Sequence, residues 1–228
     1  MDEPLLKGIR ACVFDAYGTL FDFGSAARAC RARLGDKAEA LTQLWRDKQL
    51  QYTWLRAVQG RHADFWQVTG DALDFALATL KLDQGARDEL MQLYLTLDTF
   101  PEAHETLRKV KGAGLKTAIL SNGSPAMLEP LLAKAQFGAS LLDAVFSVEQ
   151  AGVYKPHPKV YQLPVDGLGV RASEILLVSA NAWDAFAASA FGMRVAWCNR
   201  YNQRPEKLPG NPDRVVGSLA EIPALIGA

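Results

Sequence analysis

The sequence predicts a doubly wound α/β fold: a parallel sheet covered by helices on both faces, with a helical segment inserted after its first strand. Three observations predict it. Short apolar runs recur along the chain, and most are continuous rather than alternating, as in strands buried on both faces of a parallel sheet. Helical patterns separate these runs, so strand and helix alternate. One long stretch, from about Phe23 to Leu97, breaks the alternation and holds no run that reads as a strand.

In chain order, IRACVFDAY (9–17) reads as the first strand. The inserted stretch then carries apolar residues at helical spacing: Leu41, Leu44, Trp45, Leu50 and Trp54; Phe65, Trp66, Leu73, Leu77 and Leu80; Leu90, Leu93, Tyr94 and Leu97. Pro101 to Lys111 puts Leu107 and Val110 on one side of a helix that ends at Gly112. LKTAILS (115–121) is a strand, and Pro125 to Lys134 is a helix opening on proline, which suits the first helical position. LLDAVFS (141–147) and EILLVSA (174–180) are strands, and Trp183 to Phe191 is a helix stopped by Gly192. MRVAWCN (193–199) and a weaker RVVGS (214–218) complete the sheet. The layout is an α/β core domain, residues 1–21 and 100–228, carrying a helical cap domain over 22–99.

Composition fits this picture. Apolar residues make up 49% of 228, enough for a sizeable core. The formal net charge is zero, with 25 basic and 25 acidic residues, so there is no electrostatic case for nucleic acid or an anionic membrane. No apolar stretch approaches the ~18 residues of a membrane span, and the opening MDEPLLKGIR lacks an apolar signal core. Cys12, Cys30 and Cys198 form no close-spaced pair, and Cys12 and Cys198 sit in apolar runs as buried thiols. A reducing, cytoplasmic setting is expected.

In an open parallel sheet, ligands bind beyond the carboxyl ends of the strands. That rule selects Asp15, Ser121 with Asn122, Ser179 with Asn181, and Lys155 a little beyond its strand. Each alone reads as a cap, turn or loop residue; together, at one edge of one sheet, they read as a site. The segment GAGLK (112–116) is no dinucleotide loop, because it follows a helix and opens a strand.

Four segments now carry a resemblance. DAYGTLFD (15–22), LSNGS (120–124), KPHPKVY (155–161) and VSANAWDAFAASAFGM (178–193) resemble, in order and spacing, the four motifs of the haloacid dehalogenase superfamily, whose core is Rossmann-like. The details resemble its (S)-2-haloacid dehalogenase branch. Superfamily phosphatases have a second Asp two residues after the nucleophile and a Gly-Asp pair in the fourth motif that helps bind Mg²⁺. Here those positions hold Tyr17, and Ser179 with Ala180. The resemblance therefore implies an enzyme without metal or other cofactor, whose partners are a small 2-haloacid and water. Relatives of that branch are commonly homodimers, so a homodimer is implied too.

The resemblance also implies roles. Asp15 is the nucleophile, forming an ester with the α-carbon, and Thr19 orients it. Arg46, on the cap, handles halogen and substrate carboxylate. Asn122, with Phe65 and Trp183, cradles the halide; Ser121 and backbone amides near Tyr17 hold the carboxylate. Lys155, Ser179, Asn181 and Asp184 position Asp15 and the hydrolytic water, with Tyr161 in support. Asp47 follows Arg46 where many relatives carry a neutral amide, which bears on how the arginine is held. Two other readings stand beside this one. Tyr17 and Ala180 argue against a Mg²⁺-dependent phosphatase of the same fold, and the intact set Asp15, Thr19, Ser121, Lys155, Asp184 argues against a catalytically silent binding scaffold.

Overall fold

The computed structural model describes residues 6–228, leaving aside the side chains at 26, 27, 30, 32 and 33. Residues 1–5 of the opening segment and the Cys30 thiol thus lie outside the described residues. The elements in order are β1 (Ala11–Phe14), β2 (Phe21–Asp22), α1 (Phe23–Leu34), α2 (Lys37–Gln59), α3 (Phe65–Thr79), α4 (Arg87–Gln92), β3 (Asp98–Thr99), α5 (Ala103–Gly112) and β4 (Lys116–Ser121). They continue with α6 (Pro125–Ala135), β5 (Ala144–Ser147), α7 (Pro158–Leu168), β6 (Ile175–Ser179), α8 (Ala182–Phe191), β7 (Arg194–Cys198), β8 (Arg214–Val216) and α9 (Ile222–Ile226). None of the described helices is long and apolar enough to cross a membrane.

Among the described residues the main sheet has six strands in the order β5-β4-β1-β6-β7-β8, and every pairing is parallel. This is the doubly wound α/β fold expected from the continuous apolar runs. The central strands β1 and β6 are buried along their whole length, which excludes polar residues until the strand ends. The chain winds outward from β1 through β4 to β5, then crosses back to β6 on the other side of β1. The order therefore reverses between β1 and β6, and a crevice opens at their carboxyl ends.

Beside the main sheet, β2 and β3 form a short antiparallel pair, Phe21 opposite Thr99 and Asp22 opposite Asp98. The sequence gives this pair no signal, because two-residue strands have no period to read. All of α1 to α4 lies between these two strands. Asp22 accepts a hydrogen bond from the Gly24 amide and so caps α1 immediately after β2.

Three local departures from the sequence expectation have physical causes. On α2 the buried row is Ala38, Leu41, Trp45, Gln49 and Thr53, whereas Trp54 is 37% exposed. The row advances largely in steps of four, and its last two members are polar because they face polar partners rather than oil. The third helical stretch is regular only through Gln92; a 3-10 turn, Leu93–Leu95, follows it and still buries Tyr94. Finally, KPHPKVY hides the start of α7. Its prolines mask a helix whose first residue is Pro158 and whose cap is the His157 ring, accepting from the Lys159 amide.

Candidate active site

Asp15 follows β1 directly and keeps the strand's register, its amide donating to the Val178 carbonyl of β6 at 2.9 Å. The chain then turns tightly: the amides of Thr19, Leu20 and Phe21 all point to the Ala16 carbonyl, and Gly18 adopts φ +86°. Only glycine takes that conformation without strain. The turn has a chemical consequence. It swings Thr19 back so that its hydroxyl donates to Asp15 Oδ2 at 2.9 Å. The Ala180 amide in turn donates to Thr19 Oγ1 at 2.9 Å, which leaves the hydroxyl proton for the carboxylate.

A second element supplies charge. Lys155, 1% exposed, reaches from the loop before α7 and donates to Asp15 Oδ1 at 3.1 Å and to Asp184 Oδ2 at 2.8 Å. Asp184 sits in the first turn of α8, fully buried, and also accepts from the Tyr161 hydroxyl of α7 at 2.7 Å. Burial works against the Lys155 ammonium, yet the two carboxylates outweigh it and its pKa stands above the ordinary value. The same burial pushes Asp184 up, because one ammonium is shared between two anions. The triplet therefore holds Lys155 firmly charged and leaves Asp184 as the carboxylate under stress. Tyr161 is held well above its normal range by burial and by the anion it faces, so it remains a neutral donor.

Asn181, the cap residue of α8, joins this cluster to the inserted helices. Its Nδ2 donates to Asp15 Oδ2 at 2.8 Å and to the Tyr17 carbonyl at 3.2 Å, while its Oδ1 accepts from Arg46 of α2 at 3.4 Å. The Arg46 guanidinium lies over the Phe23 ring, 5.1 Å from its centroid, and its Nη1 donates to Gln49 Oε1 at 2.7 Å. Tyr17 packs against Phe65 and Tyr94 at 5.9 and 6.1 Å between ring centroids. Burial raises the Tyr17 phenol, so it stays protonated, and its buried hydroxyl has no hydrogen-bond partner among the described residues. A buried donor without a partner costs about 1–3 kcal/mol, a cost that a bound acceptor removes.

The remaining sequence-predicted residues are spread around this cluster. Asn122 Oδ1 accepts from the Lys155 amide at 3.1 Å and so fixes the loop that delivers the lysine. Ser121 Oγ accepts from the Gly123 amide at 3.0 Å, and Ser179 Oγ from the Asn181 amide at 3.2 Å; both shape turns at strand ends. Trp183 lies further out, edge-on to Trp54 with centroids 5.6 Å apart. Together they line an apolar groove of about 660 Å³ that backs onto the cluster through Tyr161 but that Asp15 does not line. Asp47 is exposed and accepts from Gln43, so it takes no part in holding Arg46.

Sequence reasoning missed two supports. Gln49, fully buried on α2, holds Arg46; a polar residue three positions on, within the buried row, was its available signal. Arg200, after β7, donates to the Thr19 carbonyl at 3.3 Å, stacks 3.7 Å from the Phe100 centroid and pairs with Glu102. Nothing local in the sequence links Arg200 to the turn at Gly18.

Comparison with known proteins bears on this geometry. Residues 9–192 match the family model of the haloacid dehalogenase-like hydrolases. The chain belongs to that family. It is 44% identical over 220 residues to (S)-2-haloacid dehalogenase 4A of Burkholderia cepacia, covering 96% of this chain and 95% of that one. It is 45% identical over 221 residues to (S)-2-haloacid dehalogenase 1 of Pseudomonas sp. strain CBS-3, covering 96% of each. Among solved structures, L-2-haloacid dehalogenase from Xanthobacter autotrophicus with chloropropionic acid covalently bound superposes with a TM-score of 0.90 at 41% identity, covering 96% of this chain and 99% of that one.

The alternative reading as a Mg²⁺-dependent phosphatase needs a cation site at this sheet edge, and the donor set of this chain does not fit one. Magnesium needs near-octahedral oxygen ligands from carboxylates, water and substrate. Here Asp15 and Asp184 are already bridged by the Lys155 ammonium, Tyr17 offers a protonated phenol, and Ala180 offers no side-chain oxygen. Among the described residues no group of three or more His, Cys, Asp or Glu is placed to hold a metal.

The charge triplet generates a prediction. In the parent protein the raised Lys155 pKa contributes stability that is complete below the ordinary lysine value of 10.5 and is lost only as pH rises through the higher folded value. Replacing Lys155 with Met leaves two buried carboxylates without their cation, which costs about 3–5 kcal/mol near pH 7. Asp184 then titrates even higher, so the loss is largest above its folded pKa and shrinks as pH falls through it. Urea unfolding of Lys155→Met from pH 7.5 down to pH 5, set against the parent, reads both effects. An unchanged midpoint at pH 7.5, or a deficit that grows on acidification, contradicts the account.

Proposed function

We propose that this protein hydrolyses short (S)-2-haloalkanoic acids to (R)-2-hydroxy acids and halide through an ester formed on Asp15. The observation that carries the reading is the Asp15 carboxylate, buried and fixed by three donors, Lys155, Asn181 and Thr19, with Tyr17 in place of a second acid two residues on. The names of the relatives, and the chloropropionic acid bound covalently to the Xanthobacter enzyme, support it.

In this mechanism the Asp15 carboxylate attacks the α-carbon opposite the halogen. The carbon–halogen bond breaks as the carbon–oxygen bond forms, and the halide departs with the bonding pair toward Arg46 and Asn122. Phe65, packed on Tyr17, shields this side from water, whereas Trp183, turned to Trp54 at the outer groove, takes no part in the cradle expected of it; Ser121, with amides near Tyr17, receives the substrate carboxylate. Thr19, Lys155 and Asn181 keep the attacking oxygen aimed; such alignment is worth effective molarities of about 10⁵–10⁸ M. Water then adds to the ester carbonyl of Asp15, giving the hydroxy acid, the regenerated carboxylate and a proton. In this reading Asp184, held by Tyr161 and Lys155, positions that water together with Ser179 and Asn181. The helical segment 22–99 acts as a cap that brings Arg46 to the core, residues 1–21 and 100–228.

The reading extends to a cytoplasmic homodimer. Cys12 and Cys198 are free buried thiols pushed by burial to about 12 and about 11, which suits a reducing compartment. Leu55 and Val58 of α2 and Phe75 of α3 expose apolar surface that a second copy can cover. Sedimentation equilibrium reads the mass: two chains are expected, and a single chain at micromolar concentration removes this part of the proposal.

Single turnover in ¹⁸O water with enzyme in excess tests the ester. Label enters the Asp15 carboxylate and not the product hydroxyl, and Asp15→Asn loses turnover while keeping its fold by circular dichroism. Label found directly in the product would mean that water attacks the substrate itself.

Stereochemistry gives a separate check. Back-side attack inverts the α-carbon, and ester hydrolysis at the Asp15 carbonyl leaves that centre untouched, so (S)-2-chloropropionate yields (R)-lactate. Arg46→Lys keeps a charge but loses the planar fork of donors, and most of the activity goes with it. Chiral chromatography with both enantiomers decides; retention, equal use of the two, or a fully active Arg46→Lys variant each counts against the geometry.

A further inference from the structure

We infer that Gln49 is a positioning residue for Arg46: a neutral, buried amide that fixes the guanidinium while leaving its charge free for the substrate. The inference deepens the reading of Arg46 given above and rests on it.

Arg46 is half-buried, and among the described residues no carboxylate pairs with it. Its hydrogen-bond acceptors are two amide oxygens, Gln49 Oε1 at 2.7 Å and Asn181 Oδ1 at 3.4 Å. The neighbouring acid, Asp47, is turned outward to Gln43. Gln49 is fully buried, and its other end is equally determined. Its Nε2 donates to Thr69 Oγ1 at 2.7 Å, and Thr69 donates its own proton to the Phe65 carbonyl at 2.6 Å. Because that hydroxyl gives its proton to Phe65, it receives from Gln49, and the amide oxygen is left facing Arg46. Trp45 locks the same turn, donating to the Thr69 carbonyl at 2.8 Å. A run of hydrogen bonds thus leads from α3 through Gln49 to the guanidinium, with Phe65, whose ring packs on Tyr17, at its far end.

The residue type matters for a reason of charge. A cation intended for a departing halide and a substrate carboxylate must be held by something that does not neutralise it. A glutamate at 49 has the same shape but would form a charge-assisted pair with Arg46, which is about twice as strong as a neutral hydrogen bond and competes directly with the anionic ligand. An amide acceptor supplies direction without that competition.

The test uses Gln49→Glu, Gln49→Ala and Thr69→Val in the full chain, each alone and with Arg46→Lys, with kcat and KM measured on (S)-2-chloropropionate. Gln49→Glu is expected to lower kcat/KM about 10²-fold, the scale of a misplaced positioning group, and to weaken propionate binding in titration calorimetry. Gln49→Ala and Thr69→Val lower it less. In the Arg46→Lys background, Gln49→Ala costs less than about twofold more, because residues acting as one unit are not additive. Full activity in Gln49→Glu, or losses that multiply across the two sites, would falsify the relay. If a variant unfolds, Thr69→Val, which removes one buried hydroxyl at constant shape, carries the comparison. A fully active Arg46→Lys enzyme would instead overturn the underlying reading of Arg46 and is distinguishable from failure of the relay alone.

Discussion

Two buried carboxylates share one buried ammonium, and the active end of the sheet is arranged around that imbalance. Taking each of these ions out of water costs several kcal/mol. The cost is tolerable only because every oxygen of Asp15 and Asp184 has a donor: Thr19, Asn181 and Lys155 on one, Tyr161 and Lys155 on the other. The ammonium is a fixed charge, unlike a metal ion that can be exchanged. It comes from a loop whose own backbone is pinned by Asn122. Removing any one donor shifts the load to the rest, so the cluster behaves as a unit.

This constraint explains the sequence around Asp15. Asp15 follows a strand that is buried throughout, and a solvent-facing turn there would leave its carboxylate with too few donors. The turn at Gly18 folds Thr19 back onto it, and the Ala180 amide sets the direction of the hydroxyl. Beneath the turn, Arg200 braces the Thr19 carbonyl while pairing with Glu102 and covering Phe100. Glu102 is drawn below its usual range despite burial, by Arg200 first and Ser218 after. The geometry of one hydroxyl near the N-terminus therefore depends on residues far along the chain.

The helices between β2 and β3 add a second cation at a distance from the first. Arg46 touches the Asp15 cluster only through Asn181, and its other partners are neutral. The two positive groups thus stand in different surroundings: Lys155 is committed to carboxylates of the protein, while Arg46 has no carboxylate partner among the described residues. Tyr17, whose hydroxyl has no partner among the described residues, holds the position where a second carboxylate would have drawn off one of the charges.

The sequence by itself determined the doubly wound sheet, because continuous apolar runs separated by helical patterns have few other solutions. It also determined which polar residues collect at one edge, because Asp15, Ser121, Ser179 and Asn181 end those runs directly. Lys155 and Asp184 were legible through motif order. What the sequence did not determine is who touches whom. Nothing local says that Lys155 is shared by two acids, that Trp183 turns to Trp54 at an outer groove, that Asp47 faces away, or that Gln49 and Arg200 support the site. Those outcomes depend on helix rotation and on contacts between segments far apart in the chain. A buried polar group takes whatever partner the packed fold brings within about 3 Å, and only the tertiary structure decides which partner that is.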